Sequence, residues 1–117
     1  MTLQNLHTSI DAVLSRAADG ETWWCASLTS TSTSTPHAWC QVTWDHINFA
    51  YPRDEEPTGL LGRLPVPEGS QLASYEAGKF ATLKTGTDDV DGLAQFVMQL
   101  MQALWPDASF EVALEQL

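Results

Sequence analysis

His37-Ala38-Trp39-Cys40-Gln41-Val42-Thr43-Trp44-Asp45-His46-Ile47-Asn48-Phe49-Ala50-Tyr51 contains two alternating apolar runs of opposite phase. Ala38, Cys40, Val42 and Trp44 share one side of an extended chain, and Ile47, Phe49 and Tyr51 continue out of step. Side chains of a strand alternate, so one straight strand cannot carry both sets on one face. A tight turn at Asp45-His46 resolves the conflict. Trp44 then faces Ile47, Val42 faces Phe49 and Cys40 faces Tyr51, all on one side. A β-bulge is the alternative, because Asp-His is not a favoured hairpin turn.

The reading extends outward from this ribbon. Thr22 to Leu28 is rich in β-formers and predicts another strand. The Ser/Thr run from Thr29 to Thr35, closed by Pro36, has no apolar face and reads as a mobile hairpin tip. Pairing Leu28 with His37 across that tip sets Cys25 opposite Cys40 and Trp23 opposite Val42. One face then carries Trp23, Cys25, Cys40, Val42, Trp44, Ile47, Phe49 and Tyr51 and is apolar enough to be the core. The other carries Trp24, Ala26, Leu28, His37, Trp39, Gln41, Thr43, Asn48 and Ala50 and sets large aromatics among polar groups.

Residues 3–18 predict a helix with Leu3, Leu6, Ile10, Leu14 and Ala17 as its stripe, capped by Thr2 and ended at Asp19-Gly20. Pro52 to Gly69 is a proline-rich connection with one helical turn at Thr58 to Arg63, tied to the core by Leu60, Leu61 and Leu64. Gln71 to Glu76 and Lys79 to Lys84 form a second hairpin, with Leu72 facing Leu83, Tyr75 facing Phe80 and Glu76 facing Lys79. Residues 89–105 predict the clearest helix, with acidic residues at its start and Pro106 after its end. Ser109 to Leu117 alternates again and reads as a last strand with one wet face. The predicted order is α-β-β-β-(α)-β-β-α-β. Its fold class is α+β, an antiparallel sheet of five to six strands packed on one face by the N-terminal and C-terminal helices.

The composition bounds what the chain can do. Its length of 117 residues suits one domain, 1–117. Five cations against fifteen carboxylates leave a net charge of −10, which repels phosphate backbones and speaks against nucleic-acid binding. The same charge attracts basic protein partners. No apolar run is long enough to span a membrane, and the start lacks a secretory signal, so the expected compartment is cytoplasmic. There two reduced, half-buried cysteines are the default.

No catalytic constellation emerges, so the chain is expected not to be an enzyme. His7, His37 and His46 follow no metal-binding pattern, and His37 and Cys40 point to opposite faces of a strand. Neither cysteine sits where its pKa would fall. The serines have no GxSxG context and the glycines form no phosphate loop. No cofactor and no metal are expected.

The element order resembles that of the bacterial class I type III secretion chaperones and the related YbjN-type fold. Leu3 to Ala18 matches the first helix and Trp23 to Tyr51 the three-stranded unit. Thr58 to Arg63 matches the short helix, Gln71 to Lys84 the second hairpin and Val90 to Trp105 the last helix. Ser109 to Leu117 is an addition to that order. The resemblance implies a homodimer that holds an extended segment of a secreted protein along its sheet.

The residues lead to a compatible expectation. Tryptophans on a polar face suit a protein-binding surface, unless the Ser/Thr loop, the proline segment or the last strand covers them. The candidate partner-binding residues are Trp24, Leu28 and Trp39, with the acidic run Asp54, Glu55 and Glu56. The expected partner is another protein, a secreted effector or a toxin-like one. The alternative is an immunity or inhibitor protein that neutralises a basic toxin or enzyme through those acids.

Overall fold

The structure, a computed structural model, describes all 117 residues. Helix α1 spans Leu3–Ala18. The Thr2 hydroxyl accepts a hydrogen bond from the Asn5 N–H at 3.1 Å, and Gly20 ends the helix at φ +90°, where a β-carbon would be strained. Its buried stripe is Leu6, Ile10 and Val13, while Leu3 stands exposed. The contact face is therefore rotated from the predicted one. Helix α3 spans Val90–Leu104, and the Asp89 carboxylate caps it by accepting from the Gly92 N–H at 3.0 Å. It buries Leu93, Ala94, Phe96, Val97, Leu100, Met101 and Leu104. The short α2, Thr58–Leu61, adds Leu60 and Leu61 to the same core.

Six strands form one sheet: β1 (Trp24–Ser30), β2 (Trp39–Val42), β3 (His46–Ala50), β4 (Gln71–Glu76), β5 (Phe80–Lys84) and β6 (Phe110–Gln116). Their order is β4-β5-β3-β2-β1-β6, and every neighbouring pair is antiparallel. Ala26, Leu28, Cys40, Val42, Ile47, Phe49, Ala81 and Leu83 point to one side and join the helix residues in one core cluster. Leu64 and Val66 of the proline-rich connection pack against this side too. The molecule is thus an α+β fold with one antiparallel sheet and helices on one face, as the periodicity predicts.

The strand registers depart from the prediction in ways that matter for function. In the β2–β3 hairpin Cys40 faces Phe49 and Val42 faces Ile47, and the Thr43 N–H donates to the His46 carbonyl at 2.8 Å. The turn is therefore Trp44-Asp45, not Asp45-His46. Side chains stabilise this choice. The Thr43 hydroxyl accepts from the His46 N–H at 3.0 Å and lies 3.2 Å from the Asp45 carboxylate, which also meets His46 Nδ1 at 2.8 Å. An even shift preserves the faces but moves Trp44 out of the core into the turn, where it is exposed.

Between β1 and β2 the shift is odd. Leu28 faces Cys40 and Ala26 faces Val42. This turns every β1 side chain over relative to the prediction. Leu28 is fully buried under the helices and cannot touch a partner. Trp24 lies on the same covered side, half-buried, with the Arg16 guanidinium 3.9 Å from its ring centroid. Trp23 is exposed rather than in the core. Cys25 and Cys40 are not opposite one another. They are free thiols on opposite faces of the sheet, and both are buried rather than half-buried.

A bulge at Ala73 lets Leu72 face Leu83 but sets Tyr75 opposite Ala81 and Glu76 opposite Phe80. The Ser/Thr run is not a free tip throughout. Thr29 and Ser30 belong to β1, the Thr31 N–H donates to the Ser109 carbonyl at 2.8 Å, and the Ser32 hydroxyl accepts from the Ser109 N–H at 2.8 Å. These bonds align the start of β6 beside β1.

Candidate protein-interaction surface

The face away from the helices is built by the other half of each strand. One row crosses the whole sheet: Ser74, Thr82, Asn48, Gln41, Ser27 and Ala113 lie side by side on successive strands. None of these residues is charged. Asn48 and Thr82 are joined by a 2.7 Å hydrogen bond between the Thr82 hydroxyl and Asn48 Oδ1. Trp39 flanks the row beside Thr29, and Phe80 flanks it beside Ala50. Both rings are half-buried, as are Gln41, Asn48, His46 and Thr82. The short side chains of Ser27, Thr43 and Ala50 sit buried between these larger neighbours.

The charge distribution is uneven. On this face the four inner strands β5, β3, β2 and β1 contribute Lys84 and no carboxylate. The acids lie at the margins, Glu76 on β4 and Glu111 and Glu115 on β6. A chain of net charge −10 thus keeps carboxylates off the middle of its open sheet face. An uncharged centre holding aromatic rings, inside a charged rim, is the common anatomy of protein interfaces.

The expected partner-binding residues do not form one site. Trp39 lies on the open face, Trp24 on the covered one and Leu28 in the core. Asp54, Glu55 and Glu56 are exposed on a separate loop next to the end of α3 and the β4–β5 turn. That loop is held firmly. The buried Tyr51 hydroxyl donates to the Glu55 carbonyl at 2.6 Å, Arg53 donates to the Ala103 carbonyl at 3.3 Å, and the Gly78 N–H donates to the Arg53 carbonyl at 2.9 Å. Arg53 also approaches the Glu55 carboxylate at 3.8 Å.

Other features escape the periodicity. Phe80 joins the open face because the sheet sets β5 next to β3, a pairing that no local pattern announces. A cleft of about 220 Å³ opens between the end of α3 and the start of β6, lined by Met1, Met98, Met101, Trp105 and Phe110 among others. The Trp105 indole N–H donates to the Ala50 carbonyl at 3.3 Å and holds the end of α3 on the sheet.

The titratable groups of the sheet offer little reactivity. Burial pushes the Cys40 thiol far up, and burial together with the Glu115 carboxylate raises that of Cys25, so both keep their protons at neutral pH. No three His, Cys, Asp or Glu side chains converge to hold a metal ion, and the two cysteines cannot reach a common one. No helix is long and apolar enough to cross a membrane. No protein-family model, no characterised protein and no solved structure matches the chain.

Proposed function

We propose that this chain is a non-enzymatic protein-binding domain that engages another polypeptide through its open sheet face. The observation that carries the reading is the uncharged row from Ser74 to Ala113, flanked by Trp39 and Phe80, in so acidic a chain. Desolvating neutral side chains beside an aromatic ring is far cheaper than desolvating carboxylates. A chaperone-like role fits this chemistry, with a secreted effector or toxin-like protein held in the cytoplasm as the partner class. Two copies of the chain would meet least charge repulsion across this same face, so a homodimer belongs to the proposal. No cofactor, nucleic acid or membrane enters it.

The test is quantitative affinity capture from the native host with the tagged chain, set against two variants. Trp39→Ala removes the half-buried ring and Asn48→Lys puts a charge in the neutral row. Each is expected to lower the captured partner roughly 30-fold, the loss typical of an interface hot spot, with an unchanged circular dichroism spectrum. Equal capture by wild type and both variants would refute the open face as the binding surface.

A second reading rests on the acidic loop. Its backbone is tied down on both sides, so Asp54, Glu55 and Glu56 are presented with little ordering entropy left to lose. That suits an immunity or inhibitor protein acting on a basic enzyme. Capture lost in the charge-neutralised triple variant (Asp54→Asn, Glu55→Gln, Glu56→Gln) but retained in Trp39→Ala would favour this reading over the first.

A further inference from the structure

Strand β6 is an outer strand, bonded to β1 alone. The bonding phase of that pair is fixed at both ends. The Thr31 N–H donates to the Ser109 carbonyl, and the Leu117 N–H donates to the Trp23 carbonyl at 2.7 Å. In an antiparallel pair the residues whose amides point to the neighbour alternate with those pointing away. Glu111, Ala113 and Glu115 therefore spend their backbone groups on β1. Val112 and Leu114 turn theirs outward, together with the two ends of the strand.

Proteins usually blunt such an edge with proline, lysine or a bulge. The opposite edge strand, β4, has a bulge at Ala73. β6 has neither proline, lysine nor bulge, and its one protection is the charge of Glu111 and Glu115, which repels an acidic strand but not a basic one: Phe110-Glu111-Val112-Ala113-Leu114-Glu115-Gln116 pairs over its full length without a register shift. A concavity of about 380 Å³ adjoins the edge on its covered side, lined by Met1, Asn5, Thr31, Phe110, Glu111 and Val112. On the other side Glu111 and Glu115 project beside the edge, exposed and with no cation paired to either.

We infer that the free edge of β6 accepts an extended, basic segment of a partner protein as a seventh strand. Main-chain bonds to Val112 and Leu114 give the segment its register. Its apolar side chains lie on the covered side, toward the concavity, and its alternate basic side chains meet Glu111 and Glu115 across the strand. The negative edge selects such a segment over a second copy of this acidic chain. The inference stands apart from the open-face reading, since Trp39, Phe80 and the five row residues on the other strands take no part, and Ala113, the one row residue on β6, spends its backbone groups on β1.

The probe is a synthetic heptapeptide alternating lysine and valine, capped at both ends, titrated by fluorescence anisotropy. Hydrogen exchange is followed in parallel. Binding is expected, with slowed exchange at the amides of Val112 and Leu114. The geometry adds an internal control. Residues that pair across an antiparallel ladder put their side chains on one face, so the valine amides must point at β6 and the lysine amides away. N-methylation of the valines is expected to weaken binding at least tenfold, and N-methylation of the lysines to leave it unchanged. Glu111→Lys combined with Glu115→Lys, both at exposed positions, is expected to weaken it at least tenfold, whereas Trp39→Ala binds the peptide as wild type does. Failure to bind, equal binding of the two methylated peptides, or binding without protection of Val112 and Leu114 each overturns the inference. Protection of those amides in a dimer of the chain alone would overturn the choice of occupant.

Discussion

Leu28→Ala is expected to lower the free energy of unfolding by about 3 kcal/mol, within the range of about 2–5 kcal/mol seen when a buried leucine is truncated. Leu28 is fully enclosed between Cys40 on β2 and Val112 on β6, beneath the helices. The loss combines forfeited burial with a cavity that the flanking strands cannot close. Trp23→Ala is the informative contrast. It deletes a larger side chain, but one that is 47% exposed just before β1, and should change stability by less than about 1 kcal/mol. Urea unfolding of the two variants measures the order. A tryptophan deletion more damaging than the leucine deletion would point back to the register that sets Cys25 opposite Cys40.

Alkaline pH should destabilise the fold through its buried acids. In the unfolded chain the Cys40 thiol loses its proton around its ordinary value of 9.0, while in the native protein burial keeps it neutral. The unfolded state then binds fewer protons than the native state, so stability falls as pH rises. The contribution is present in full below about pH 9 and declines above it by about 1.4 kcal/mol for each pH unit, the limiting slope for one proton. Tyr51, raised first by burial and then by the Glu55 carboxylate, acts in the same direction above its ordinary 10.0, and so does Cys25 above 9.0. Urea midpoints between pH 8 and pH 11 measure the slope. Cys40→Ala should make it shallower by one proton, whatever its effect on stability at neutral pH. An unchanged slope would mean that the native thiol titrates freely.

Legibility in the sequence followed the strength of the local signal. Helices α1 and α3 carry stripes with a helical period between recognisable caps, and both fall where the pattern sets them. The strands of the two later hairpins are readable in position, because β3 and β5 alternate cleanly, but their registers are not: the bulge at Ala73 sets Tyr75 opposite Ala81 rather than Phe80. The β2–β3 turn moved by one residue at each side, since the hydroxyl and carboxylate of Thr43 and Asp45 stabilise a turn that Trp44 would not by itself suggest. Strand β1 is the real failure. Cys25, Ala26, Ser27 and Leu28 are all buried, so alternation gives no phase at its centre. The Ser/Thr run that follows has no side chain to pin a register from the turn. An odd slip there sent Leu28 inward and separated Trp24 from Trp39. Of the open face, Trp39 was therefore readable, as was the exposure of Asp54, Glu55 and Glu56 on their separate loop. The neutral row and the β6 edge depend on long-range pairing and were not.

The pairing of β1 with β6 has a consequence for biosynthesis. The bonds just beyond the strand ends, from Thr31 and Ser32 to Ser109, already join residues 78 and 77 positions apart, and the strand pairs lie further apart still, so β1 must wait for most of the chain before its second neighbour exists. Closing so long a loop is entropically slow. While the ribosome is still translating α3, the nascent chain has β1 as its outer strand, with the inward half of its backbone satisfied by β2 and the other half bare. Emergence of β6 is then the event that seals the sheet, and a chain interrupted between α3 and β6 would leave β1 as an adhesive edge rather than a smaller stable protein.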